Sequence, residues 1–149
     1  MENDYRIIKL RAYLFDIIKV LNDKYKQINI NFLSNDIDNY SLDKIPVKNE
    51  VNNWIIGITN NHDIYSFRSR VNYAEDVINN IKNIGFFEEF EQIIKKKNEN
   101  KDLPEIEGIQ SIKCLNCGTM NHADTNTAEF DIQIEIEYIE NLDKTIVSL

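Results

Sequence analysis

Thr127-Ala-Glu-Phe-Asp-Ile-Gln-Ile-Glu-Ile-Glu-Tyr-Ile-Glu-Asn141 is the most strongly patterned stretch of the chain. Phe130, Ile132, Ile134, Ile136 and Tyr138 alternate with Asp131, Gln133, Glu135 and Glu137. Strict period-two alternation predicts a β-strand with one face in a core and the other in water. Carboxylates stacked along the wet face repel one another, so that face must stay solvated or meet positive charge. At 3.3 Å per residue a strand from Ala128 to Glu140 would span about 40 Å, against a usual limit near ten residues. The pattern therefore predicts that part of this strand projects and pairs with another copy or another protein. That makes the chain an assembly subunit and not an enzyme.

The rest of the composition bounds the problem. A chain of 149 residues, 42% of them hydrophobic, is one domain's worth and can bury a core of ordinary size. A net charge of −8 argues against nucleic-acid binding, which needs Lys and Arg to neutralise phosphates, and suits a basic partner. No apolar run reaches the roughly 20 residues of a membrane span, and Met-Glu-Asn-Asp does not begin a signal peptide. Two cysteines then imply a reducing compartment, so synthesis is expected in the cytoplasm.

Upstream, Asn3 or Asp4 is placed to cap a long helix whose apolar stripe is Ile7, Leu10, Leu14, Ile17, Ile18, Leu21 and Tyr25. Ile28, Ile30 and Phe32 suggest a short strand. Ser34–Pro46 is rich in turn formers and reads as a loop. Asp36, Asp38 and Asp43 lie in it, but without the turn glycine and terminal Glu of an EF-hand. Val51–Thr59 predicts a strand, Asn60–Asp63 its turn, and Ile64–Val71 the returning strand, with Tyr65 and Phe67 on one face and Arg68 and Arg70 on the other. Those arginines either cover acids on the sheet or belong to an interface. A helix pair follows, one closed by Gly85 and one from Phe86 to about Asn98. In the second, Glu88, Glu89 and Glu91 fall early and Lys95, Lys96 and Lys97 late, as a helix dipole prefers. Ile106–Leu115 is a strand feeding a loop to Asn126. The fold class is α+β, a long N-terminal helix and a helix pair on a mainly antiparallel sheet, in one domain over residues 1–149.

Cys114, Cys117 and His122 have the first two spacings of a zinc knuckle, but Thr127 stands where the fourth ligand belongs. Two thiols at a hairpin end are the simpler account, and a zinc-knuckle nucleic-acid module is the minor alternative. With two histidines and four glycines, no phosphate loop and no Gly-x-Ser-x-Gly, nothing points to a catalytic residue or a cofactor.

Three stretches together carry a family resemblance: Asn35-Asp-Ile-Asp-Asn-Tyr-Ser-Leu with Ile45-Pro46; Phe67-Arg-Ser-Arg with Tyr73 and Asp76-Val-Ile-Asn-Asn; and Phe86-Phe-Glu-Glu-Phe leading to Asn100-Lys-Asp-Leu-Pro104. In this order they resemble the small tail-terminator or minor-capsid proteins of phages and prophages of Firmicutes, including contractile phage-tail-like particles. The resemblance implies a hexameric ring on the end of the tail tube, in a virion or tail-like particle. Its partners would be other copies of the chain, the tail tube protein, a neck, head–tail connector or collar protein, and a sheath protein where the tail contracts. DNA would only pass through the lumen, and no membrane is involved. A head-completion or connector adaptor is the near alternative. The interface residues expected are Asp36, Asp38, Tyr40, Arg68, Arg70, Asp131, Glu135 and Glu137.

Overall fold

The structure, a computed structural model, describes residues 5–22, 25, 27–34, 36, 38–46, 52–55, 57–72, 77–122 and 127–141; within these the side chains of 52–55, 71–72, 77–80, 82–83, 116–122 and 127–128 are left aside. The elements run α1 (Arg6–Leu21), β1 (Gln27–Ile30), β2 (Asn39–Ile45), β3 (Asn52–Ile55), β4 (Ile58–Asn72), α2 (Val77–Glu99), β5 (Ile109–His122) and β6 (Thr127–Asn141). The fold is α+β. One six-stranded sheet has the order β1-β2-β4-β6-β5, with β3 paired to the start of β4. Only β1 and β2 are parallel; the other pairings are antiparallel.

Alternation sorts every strand onto two faces. Tyr40, Leu42, Tyr65, Phe67, Ile112, Phe130, Ile132, Ile134, Ile136 and Tyr138 form one buried face with both helices against it. Leu10, Leu14, Ile17 and Ile18 supply the stripe of α1, spaced three and four residues apart so that they share a side of the helix. α2 contributes Phe87, Phe90 and Ile94. Phe87 stacks on Phe130 with ring centroids 4.9 Å apart, Phe90 on Phe67 at 5.4 Å, and Phe67 on Tyr40 at 5.4 Å. This aromatic ladder ties α2 to three adjacent strands.

Several expectations change. α1 stops at Leu21, short of Tyr25, because Asn22 turns extended and its side-chain amide donates to Tyr40 Oη (2.9 Å) and Asp38 Oδ1 (3.2 Å). Tyr5 holds the N-cap position with no side-chain bond, and Asn3 and Asp4 lie outside the described residues. The expected loop Ser34–Pro46 contains β2, a mostly buried strand between β1 and β4. Asn60–Asp63 do not turn the chain; they lie inside β4, and the turn falls at Gly57, whose φ of 85° suits glycine. The helix pair is a single 23-residue helix, with Gly85 in its interior.

The opening stretch is the largest correction. β6 is 15 residues long, as its pattern predicts, but it does not project. It is an inner strand, paired with β4 from Ile58↔Asn141 to Asn72↔Thr127 and with β5 from Ile109↔Tyr138 to His122↔Ala128. The chain covers its own long strand with neighbours of 15 and 14 residues.

Candidate protein interface

The second face of the sheet has neither helix against it, and it gathers most of the residues singled out above. Directly opposed residues share a face, so Arg70↔Glu129, Arg68↔Asp131, Ser66↔Gln133 and His62↔Glu137 line up across β4 and β6, with Lys113↔Glu135 added from β5. Arg68 lies at the centre. Its Nε donates to Asp43 Oδ2 at 2.6 Å and its Nη1 to Glu129 Oε1 at 3.1 Å, joining β2, β4 and β6. Burial works against the guanidinium charge, but the hydrogen bonds and charges of Asp43 and Glu129 outweigh it and hold Arg68 above its ordinary pKa. Asp131 accepts from Ser66 Oγ at 2.6 Å. His62 sits between Glu135 (Nδ1 to Oε1, 3.3 Å) and Glu137 (Nε2 to Oε2, 3.4 Å), and Lys113 Nζ reaches Glu135 at 3.3 Å.

The carboxylate row is therefore held by cross-strand partners within the chain. Arg70 takes no part, because it is buried and its Nε donates to Ser34 O at 3.3 Å, anchoring the segment that precedes β2. What remains presented is a partly exposed charged surface with Asp43, Glu129, Asp131, Glu135 and Glu137 exceeding Arg68 and Lys113.

The other expected interface residues separate. Tyr40 is a core residue, and burial pushes its phenol up to about 12. Asp38 accepts from Asn22 at the end of α1, and Asp36 is exposed in the β1–β2 connection. For Cys114, Cys117 and His122 the backbone decides. β5 runs through all three with register shifts between Cys114 and Thr119, so the cysteines lie within a bulged strand and not at a hairpin end. Cys114 and His122 are then roughly 26 Å apart at 3.3 Å per residue, too far to share one tetrahedral ion. Among the described residues no group of His, Cys, Asp and Glu is arranged to hold a metal, and no helix is long and apolar enough to cross a membrane.

Sequence reasoning missed one cluster on the helix-covered face. Asp63 is 1% exposed. It accepts from Tyr138 Oη at 3.2 Å and Tyr65 Oη at 3.4 Å, and it pairs with Arg6 at 3.3 Å and Lys44 at 3.7 Å. Arg6 also lies 4.4 Å from the centre of the Tyr138 ring, which is cation–π geometry. An opening of about 280 Å³ bounded by Tyr5, Arg6, Ile7, Lys44 and Tyr65 lies beside it. The cluster fastens the start of α1 to three strands. The one signal available was a lone Asp on the apolar parity of β4.

Neither a protein-family model nor a curated protein matches the chain.

Proposed function

We propose that the chain is a tail terminator, a structural subunit whose ring closes the end of a phage-type tail tube, stops its growth and offers a surface to the neck, collar or sheath. The observation that carries this reading is the helix-free sheet face. Its charges are fixed to one another across four strands, so it has little side-chain freedom to lose when a partner docks. Its acids outnumber its cations, which suits a basic neighbour and sets register more than affinity. Six chains at −8 carry about −48, and an acidic wall repels passing phosphates within a Debye length of roughly 8–10 Å. In this reading the face takes the role expected of a projecting strand, because β6 is an inner strand.

The test is to express the tail tube protein with and without this chain and measure tube lengths by negative-stain microscopy. With the wild-type chain, tubes end at a set length with a ring at one end. With none, or with Glu135→Lys/Glu137→Lys, tubes are abnormally long or uncapped. Tubes of normal length in the absence of the chain would remove the reading.

A further inference from the structure

α2 carries charges without an ion-pair partner among the described residues. Because the helix begins at Val77, Glu88, Glu89 and Glu91 lie near its middle, and its first turn holds no acid. Dipole effects fade beyond the terminal turns, so they do not account for these three. None of the ion pairs among the described residues involves them or Lys95 and Lys96. Glu91 and Lys95 have the four-residue spacing that favours a pair within one helix, and they too stand unbridged.

The same outward side is unexpectedly apolar near its start. Ile81 is 63% exposed and Ile84 53%. Gly85 follows, and a Cβ added there would meet nothing within 4 Å. Glycine is a poor helix residue, and no neighbour among the described residues requires one here. With Leu21, Glu88, Gln92 and Ile93 it lines an open groove of about 730 Å³. A helix interior with a glycine at an open groove allows another backbone to come close.

These features are self-complementary. Two copies of α2 laid antiparallel about Gln92 put Glu88 opposite Lys96 and Glu89 opposite Lys95, and symmetry repeats both pairs. Gly85 then falls opposite the partner's Glu99, the last residue of α2. A parallel arrangement would set like charges together. We infer that the outer face of α2 is a two-fold contact between copies of this chain, centred on Gln92 and closed by four Glu–Lys pairs. A foreign basic segment would satisfy the acids alone, whereas a second copy satisfies acids and lysines at once, at matched spacing. A two-fold contact does not close a six-fold ring. The pairing thus belongs to subunits outside a ring, leaves the charged sheet face free, and does not depend on the tail-terminator reading. One helix pair is at the small end of stable interfaces, so the dimer is weak and concentration-dependent.

Sedimentation of the full chain from about 1 µM to 1 mM tests this, with salt weakening a contact made by exposed charges. Glu88→Lys/Glu89→Lys raises the dissociation constant about tenfold or more, since it replaces attraction by repulsion at every pair. Lys95→Glu/Lys96→Glu does the same, and the two variants mixed form a heterodimer. The quadruple swap restores the homodimer. A wild-type chain that stays monomeric throughout overturns the inference. So does a double variant that dimerises unchanged, or a quadruple variant that stays monomeric with its helix content intact by circular dichroism.

Discussion

Gly85→Ala and Gly108→Ala make the same chemical change and should move stability in opposite directions. Gly85 is inside α2 with no atom near the position of an added Cβ. Alanine there gains helix propensity of about 0.8–1.0 kcal/mol, with no steric penalty. For a chain of 149 residues that corresponds to a melting temperature higher by about 2–4 °C. Gly108 has φ +76°, and its added Cβ would run into the backbone carbonyl of Ile139. Left-handed backbone costs a residue with a Cβ about 1–2 kcal/mol. The clash also displaces the end of β6, whose Ile139 N–H donates to Gly108 O at 2.8 Å, a bond worth about 1 kcal/mol net. The sum is about 2–3 kcal/mol of destabilisation, or roughly 5–10 °C. Urea unfolding followed by tryptophan fluorescence and circular dichroism, at concentrations below dimer formation, gives both values. The sign at Gly85 is decisive. If Gly85 ended one helix and separated it from a second, it would adopt a left-handed cap, and alanine would destabilise by about 1 kcal/mol. A loss of stability at Gly85 would refute the continuous α2.

Asp63→Asn keeps the shape of the buried hub and removes its charge. The amide oxygen still accepts one tyrosine hydroxyl, so one lost hydroxyl bond at about 1 kcal/mol and a partly exposed Arg6 pair at no more than about 1 predict a loss of about 1–2 kcal/mol, measured by urea unfolding; a change within 0.5 kcal/mol, roughly the scatter of unremarkable surface substitutions, would show that the cluster is not a fastening point. Alkaline stability should respond to the same region. Burial, joined by the nearby Asp63 charge, pushes the Tyr138 phenol up to about 12, and burial does the same to Tyr40. A raised folded-state value means that the neutral phenol is favoured, so stability is whole below about pH 10 and falls as pH rises through 12. Thermal melts between pH 9 and 12 should show the decline, and Tyr138→Phe should make it shallower. A melting temperature independent of pH over that range contradicts the assignment. Arg68→Met strips Asp43 and Glu129 of their shared cation on a partly solvated face and should cost about 1–2 kcal/mol. Its cost should shrink when Asp43→Asn and Glu129→Gln are present, and simple additivity in that cycle would dissolve the network.

What could be read from sequence followed from how many forces agreed. β6 was legible because Phe130 to Tyr138 alternate without a break, and α1 because its apolar stripe is unbroken from Leu10 to Ile18. β2 was hidden although Tyr40, Ser41, Leu42 and Asp43 do alternate. Its Asn, Asp and Ser content argues for turns when the segment is taken alone, and burial between β1 and β4 overrides that preference. Gly85 misled for the mirror reason. Glycine is a common stop signal, but here the helix runs from Val77 through it, and Phe86, Phe87, Phe90 and Ile94 pack on the core directly after it, where burial outweighs a propensity cost of about 1 kcal/mol. The charged face was half legible. Arg68 and the carboxylates of β6 were evident as charges, yet nothing local says that Arg68 spans β2 and β6, because that depends on register between strands distant in the chain.

That register explains why the anionic row does not undo the fold. A slip of one residue between β4 and β6 would turn Phe130 to Tyr138 outward and bury the carboxylates, so the core sets the pairing. Once it is set, Arg68 falls opposite Asp131 and His62 opposite Glu137, and the cations of β4 and β5 lie within reach of the acids of β6. The apolar face thus decides where the charges stand, and the charges add little to stability on a solvated face. A chain selected only to fold would gain little from such a row; uncharged polar residues would serve. Glu129, Asp131, Glu135 and Glu137 cost repulsion and require partners. Arg68, Ser66, His62 and Lys113 supply those partners within the chain, so the row stands without opening the sheet.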